Sequence, residues 1–442
     1  MFDFLKKIKP TWMFSLESSS AGNKPTCFSL TVESLKPGEL DSEYEDPRAR
    51  KWDYGYASWQ NGVMHVSDGE RDVSHQVLNP YDEYRFGRKY FKKPWVWYYL
   101  FRRLLAFKNP VKEFAAFLRT VKVPYQGIGN NPKIYPDYDA FQSTMAMDEP
   151  LVSVIIPTLN RYPYLADVLR DLEKQDYKNF EVIVVDQSEP FQETFYSEFD
   201  LNMRVIYQRE KQLWKARNRA IRESRGSFLL FFDDDSRVKP DWIFQHLKAL
   251  EYFEADISAG VSLSAVGAPI PANYRFFRWA DQFDSGNAMV KKSVFKKTGL
   301  FDRQFEKMRQ GDGEFGMRAY MNGFRSVSNP RAARVHLKVS MGGLRAHGTW
   351  DGLRPKKLLA PRPVPSVLYF YRRYFKARDV INMLLISVPL SLTPYRLKGR
   401  KSAMLSSLFF SVLFLPVLLI LVSRSWRIST KMLKEGPKVS QL

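Results

Sequence analysis

An α/β fold built on a mainly parallel central sheet is what this sequence predicts for its middle part, and three observations lead there. Between residues 150 and 350, short continuous apolar runs alternate with stretches of helical spacing, the pattern of a sheet covered on both faces. Polar and acidic residues stand at the carboxyl ends of those runs, where open α/β sheets bind ligands. Hydrophobic residues make up 45% of the 442, enough apolar area for a sizeable core.

The elements follow in order. Val152 to Ile156 reads as a first strand that Pro157 ends, with a helix following to about Gln175. Phe180 to Val185 (FEVIVV) is a second buried strand and carries Asp186 at its end. Met203 to Gln208 is a third. The segment QLWKARNRAIRES reads as a helix, and SFLLFF as a fourth strand running into Asp233, Asp234 and Asp235.

The flanks differ in character. Residues 1–145 form an N-terminal accessory region in which Cys27–Glu33 and Gly62–Val66 nearly alternate, as strands do. A basic, aromatic stretch follows, KKPWVWYYLFRRLLAFKNPVKEFAAFLRTV, whose second half has helical spacing and suits a membrane interface or a packing surface. Residues 361–442 form a C-terminal helical region in which 403–423 carry no charge and are flanked by Lys and Arg. At about 1.5 Å per residue such a run spans a hydrocarbon core of about 30 Å, so a transmembrane segment is expected there. Basic residues on both sides leave its orientation open.

The formal net charge of +21 favours polyanionic partners such as phosphorylated ligands or anionic lipid. No repeated aromatic pattern or known motif accompanies the basic residues, so nucleic acid is not an expected partner. One cysteine excludes an intrachain disulfide and points to a reducing compartment. The N-terminus has no apolar run long enough for a secretory signal, which places the expected catalytic body on the cytoplasmic face of a membrane.

Three adjacent carboxylates at a strand end are unfavourable unless positive charge arrives. A hard divalent cation supplies it, and oxygen ligands suit Mg²⁺ or Mn²⁺. On extended backbone Asp233 and Asp235 face one side and Asp234 the other. A solvated acidic turn is the plainer reading of the same residues.

The ordered series VSVIIPTLNR, FEVIVVD, KARNRAI and FLLFFDDD resembles the nucleotide-binding half of a family 2 glycosyltransferase with the glycosyltransferase-A fold. The resemblance implies that Thr158, Arg161 and Asp186 contact nucleobase and ribose. It implies that Asp233 and Asp234 lie near the ribose and diphosphate, with Asp235 and a share from Asp233 on the metal. The stretch from Ser285 to Phe324 resembles the continuation of the same family, where a Glu-Asp pair opens a helix. Here the pair reads Gly311-Asp312, so the Glu is missing while Asp312 matches the catalytic base. Glu314 is the candidate for acceptor hydroxyls, or a substitute base. His336 stands where some members complete the metal site, and Gly342-Gly343 with Arg345 and His347 could close over the diphosphate. A narrower likeness is to galactofuranosyl-type members.

The expected activity is therefore metal-dependent, inverting transfer of a sugar from a nucleotide-diphosphate donor to a lipid-linked or surface-glycan acceptor, with membrane lipids as further partners. The N-terminal region could bind glycan, position the membrane or mediate assembly into a homo-oligomer. A nucleotidyltransferase would need a Gly-rich loop near the first strand, and PTLNRYPYL has no glycine. A non-catalytic glycan-binding or membrane scaffold is the remaining alternative, supported by the missing Glu alone.

Overall fold

The computed structural model describes residues 1–16, 24–25, 40–67, 78–127, 129–265, 270–339, 342–344, 355, 357–393, 397 and 400–442. They divide into two compact units: 1–133 with 353–427, and 134–352 with 428–442. The N-terminal region and residues 361–427 of the C-terminal region, expected as separate domains, thus share one unit, while residues 134–145 and 428–442 belong with the second unit.

The N-terminal region is helical rather than rich in strand. It runs through α1 (Asp3–Ile8), α2 (Pro47–Gln60), α3 (Pro80–Tyr90), α4 (Lys93–Leu105) and α5 (Pro110–Arg119). Its described extended pairing is limited to β1 (Lys24–Pro25) with β2 (Val66–Ser67). The expected strand at Cys27–Glu33 lies outside the described residues, and Gly62–Val66 forms a turn leading into β2. The reason for the difference is aromatic packing. Trp52, Tyr56 and Trp59 recur at helical spacing on α2 and bury against Phe2, Trp12, Phe86 and Tyr90. Each α2, α3 and α5 start is capped by Asp46, Asn79 or Asn109 and has Pro in the first turn.

In the second unit, α6 (Asp137–Ala140) and α7 (Thr144–Met147) lead into the sheet. Tyr138 donates to Gln245 at 3.2 Å, and Ser143 and Thr144 both donate to Glu251, which ties residues 134–145 to this unit. The chain continues through β3 (Val152–Thr158), α8 (Tyr162–Glu173), β4 (Phe180–Asp186), β5 (Met203–Tyr207) and α9 (Leu213–Glu223). Then come β6 (Phe228–Phe232), β7 (Ser236–Val238), α10 (Trp242–Tyr252) and β8 (Ile257–Ser264). The last part holds β9 (Arg278–Trp279), β10 (Asn287–Lys291), α11 (Lys292–Thr298), α12 (Gly311–Met321) and β11 (Ser326–His336).

The sheet order is β5-β4-β3-β6-β10-β8-β11-β7, with β9 also on β11. The four strands read from sequence are parallel, as expected. Beyond them the sheet is mixed, because β10 runs antiparallel to both β6 and β8. Pro157 does not end β3: pairing with β4 continues to Thr158 opposite Asp186, whereas pairing with β6 stops at Ile155. The proline therefore sits where one side of the ladder has already ended and its missing N–H costs nothing. Under the sheet, Phe231, Phe295, Phe301 and Phe315 form a ring cluster with centroids 4.5–5.7 Å apart, which locks α11 and α12 against β6.

The C-terminal helices are α13 (Pro365–Tyr374), α14 (Ala377–Leu390), α15 (Lys401–Leu413) and α16 (Leu415–Glu435). The straight span expected over 403–423 is replaced by a bent pair. Among the described residues no single helix is long and apolar enough to cross a membrane, and Leu405–Leu413 meets Leu415–Glu435 at 87°. Phe414 marks the break, and Pro416 falls in the first turn of α16, where its missing N–H is tolerated.

Candidate active site

Three strand ends converge on the site. Thr158 closes β3, Asp186 closes β4, and Asp233 to Asp235 follow β6. A fourth contribution comes from β11, whose antiparallel pairing with β7 sets His336 opposite Ser236, the residue after the triplet. Leu337 N–H donates to Asp235 C=O at 2.9 Å and fixes that register.

The triplet divides by direction. Asp234 points toward the end of β3 and the start of α8: Thr158 Oγ1 donates to its Oδ2 at 2.8 Å and Arg161 Nη1 to its Oδ1 at 2.8 Å. Burial pushes the Asp234 carboxyl up to about 6 against the pull of Arg161. Asp233 faces the other way. Arg217 Nη2 lies 3.1 Å from its Oδ1 and Arg334 Nη1 2.7 Å from its Oδ2. Burial would raise this group, but Arg334 and then Arg217 hold it well below the usual carboxylate range. Asp235 takes His336 Nε2 at 3.2 Å and Arg161 Nη1 at 3.2 Å. Burial opposes its ionisation, yet the bond from His336 and the charge of Arg161 keep it lowered.

One ligand atom each from Asp233, Asp235 and His336 lies within 4.8 Å of the others. Two carboxylates and an imidazole are a donor set that fits a divalent ion of the Mn²⁺ or Mg²⁺ kind with positions left over for a ligand's oxygens. The expected metal group is therefore brought together by the fold.

Asp312 opens α12 and is reached through Ser285. Ser285 N–H donates to Asp312 Oδ1 at 3.1 Å, the Ser285 hydroxyl also bonds it, and Ser285 C=O accepts from Arg217 Nη2 at 2.8 Å. Arg217 thereby links Asp312 to Asp233. Burial raises the Asp312 carboxyl, partly offset by Arg217 and reinforced by the charge of Asp284, which suits a proton acceptor.

Close approach here requires glycine. A Cβ on Gly286 would lie 2.1 Å from Asp233 Oδ2 and 2.4 Å from Arg334 Nη1. The missing Glu before Asp312 has a packing reason as well. A Cβ on Gly311 would meet Trp214 Cζ2 at 2.3 Å, and Trp214 is fully buried with its Nε1 donating to Phe305 C=O at 2.9 Å. Gly342 and Gly343, both at positive φ, lie against Arg161, and Gly343 N–H donates to Leu159 C=O at 2.8 Å. Arg345 and His347 lie outside the described residues.

Two of the expected site residues are already engaged. Glu314 is fully buried and its carboxylate is paired with Arg318, whose Nε and Nη2 both lie 3.0 Å away. A two-residue step along a helix turns it to the side away from Asp312. Asp186 is fully buried, with its oxygens already engaged by the Tyr162 and Tyr196 hydroxyls at 2.7 and 2.8 Å and by Ser188 N–H at 2.9 Å. Sequence reasoning missed Arg334, Asp284 and Ser285. Arg334 shares a strand face with His336, two residues on, and that spacing was the available signal.

Residues 153–318 match the family model described as Glycosyl transferase family 2. Over 197 residues the chain is 25% identical to the poly(ribitol-phosphate) beta-N-acetylglucosaminyltransferase TarS of Staphylococcus aureus, covering 41% of this chain and 34% of that protein. Over 113 residues it is 31% identical to the glycosyltransferase GlyA of Streptococcus pneumoniae, covering 25% of this chain and 16% of that one. The match thus spans about a third or less of these relatives' own length. Among solved structures, S. aureus TarS 1–349 in complex with UDP-GlcNAc aligns with a TM-score of 0.43 at 19% identity, covering 63% of this chain and 81% of that one.

Proposed function

We propose, from the premise that residues 153–318 belong to glycosyl transferase family 2, that this chain transfers a sugar from a nucleotide-diphosphate donor to an acceptor hydroxyl. The α/β fold, with its parallel half leading to the acidic triplet, is the glycosyltransferase-A fold that the family implies. The observation that carries the reading is the chain Asp312–Ser285–Arg217–Asp233, which sets a carboxylate of raised pKa beside a group of metal-ligating character.

Thr158, Arg161 and Asp234 would hold the nucleoside side of the donor, and the Gly342-Gly343 turn on Arg161 would shield it from water. Asp233, Asp235 and His336 would hold a divalent cation, which would act as Lewis acid toward the departing diphosphate. Arg217 and Arg334 add fixed positive charge to the same place. Asp312 would take the proton of the acceptor hydroxyl as its oxygen attacks the anomeric carbon. Attack from the face opposite the diphosphate inverts the configuration. The apolar helices α15 and α16 favour a lipid-linked or membrane-held acceptor, presented at the cytoplasmic face.

The scaffold alternative rested on the missing Glu. The packing of Gly311 on Trp214 supports a local exchange of volume instead of decay. The test is Asp312→Asn, assayed for donor turnover and, separately, for Mn²⁺-dependent nucleotide-sugar binding. We expect turnover to fall by about 10³-fold or more with binding retained. Near-normal turnover in Asp312→Asn would remove the base assignment, and no turnover by the parent chain with any nucleotide sugar would favour the scaffold.

A further inference from the structure

The N-terminal region presents a surface that the transfer chemistry does not use. On α4, Trp97, Phe101 and Leu105 recur at every fourth position and all are exposed. On α5, Val111, Phe114 and Leu118 form a second exposed apolar stripe. At the turn between them Phe107 holds a left-handed φ of 53° and is 97% exposed. A non-glycine residue in that region is strained, and among the described residues no ring contact accounts for an aromatic side chain there.

The hairpin is rigid underneath. Glu113 accepts from Arg103 at 2.6 and 3.0 Å and from the Tyr84 hydroxyl at 2.9 Å, and Phe117 packs on Trp97 and Tyr84. Asn109 caps α5 by accepting from Lys112 N–H, and Pro110 enforces the turn.

The charge that α4, α5 and their flanks themselves carry has one sign, and of their exposed cations Arg119 alone is paired with an exposed acid among the described residues, Glu45 at 3.0 Å. Between residues 92 and 122 Glu113 is the one acidic side chain, and it is buried. Lys92, Lys93, Lys108, Lys112, Arg119 and Lys122 are exposed. A face that is apolar at its centre and basic at its rim matches an anionic bilayer surface, whereas a second copy of the same face would meet like charge. The face also adjoins the C-terminal helices of the same unit: Arg102, next to Phe101, donates to Asn382 of α14 at 2.8 Å, and Ile381 beside it is exposed.

We infer that the α4–α5 hairpin is a membrane-docking element that seats Phe107 and the two apolar stripes at the boundary of an anionic leaflet. It is a contact separate from the bent α15–α16 pair, and it does not depend on the assignment of the catalytic residues. Such a wedge inserts into one leaflet without crossing it.

The test uses the full chain with Cys27 replaced by Ser and Ala106→Cys labelled with an environment-sensitive fluorophore. Vesicles of phosphatidylcholine alone are compared with vesicles containing phosphatidylglycerol. The expected result is a blue shift on the anionic vesicles, and an affinity about tenfold weaker in Phe101→Ser/Phe107→Ser/Leu118→Ser. Lys108→Glu/Lys112→Glu should weaken binding similarly and flatten its salt dependence. Far-UV circular dichroism and the thermal midpoint in detergent report that each variant is folded and should be unchanged. A label that stays aqueous while the chain sediments with vesicles would overturn the inference. So would a shift that follows protein concentration without vesicles, the mark of self-association.

Discussion

His336 Nε2 lies 3.2 Å from Asp235 Oδ1 because β11 and β7 pair in a register that places residue 336 opposite residue 236. The contact joins residues about a hundred positions apart, and it depends on a three-residue strand. It makes the imidazole part of the acidic group.

Removing that imidazole has a defined outcome. His336→Ala should weaken Mn²⁺-supported nucleotide binding by about tenfold or more, by analogy with the loss of groups that orient metal ligands. Isothermal titration of a nucleoside diphosphate at graded Mn²⁺ concentrations measures it. Unchanged metal dependence would take His336 out of the site.

The Gly311–Trp214 contact predicts a compensating pair. Gly311→Glu, which restores the residue usual in the family, should destabilise the catalytic unit by about 1–3 kcal/mol, because its Cβ alone would overlap the indole. Combining it with Trp214→Leu should recover part of that loss. Denaturant midpoints for the two single variants and the double variant form the cycle, and strict additivity would contradict the contact.

His246 on α10 predicts acid sensitivity. The ring is buried, with Nδ1 2.9 Å from Ser258 Oγ and Nε2 3.2 Å from Asn287 Oδ1. Burial presses its pKa down to about 4, although the bonds to Asn287 and Ser258 pull the other way. A base lowered in the folded state leaves stability intact above its unfolded value of about 6.5 and removes it as pH falls toward 4. The loss is on the order of 3 kcal/mol across that window. Urea midpoints between pH 7 and 4.5 should fall more steeply in the parent chain than in His246→Gln. Equal slopes would show that the ring carries no such linkage.

How much of this was readable beforehand follows from how locally each feature is determined. β3, β4 and β6 are continuous apolar runs, buried on both faces, and their ends are polar, so strands and site were visible together. Arg334 and Asp284 depend on β10 entering the sheet antiparallel between β6 and β8, a long-range pairing that no local pattern announces. Glu314 looked available because it lies two residues from Asp312, but Arg318 is one helical turn further on and claims it. The run 403–423 has the composition of a span, and composition alone does not show the break at Phe414.

The last residues of the chain carry a consequence for anyone preparing this protein. Lys438 N–H donates to Asp302 Oδ1 at 2.9 Å, Leu300 N–H to Ser440 C=O at 2.9 Å, and Gln304 Nε2 to Gly436 C=O at 2.7 Å. The segment that follows the apolar helices is thus stitched onto the loop before α12. Cutting the gene ahead of α15 to obtain a detergent-free protein would also delete this stitching. Excising the apolar pair internally, and rejoining the chain ahead of residue 428, would preserve it.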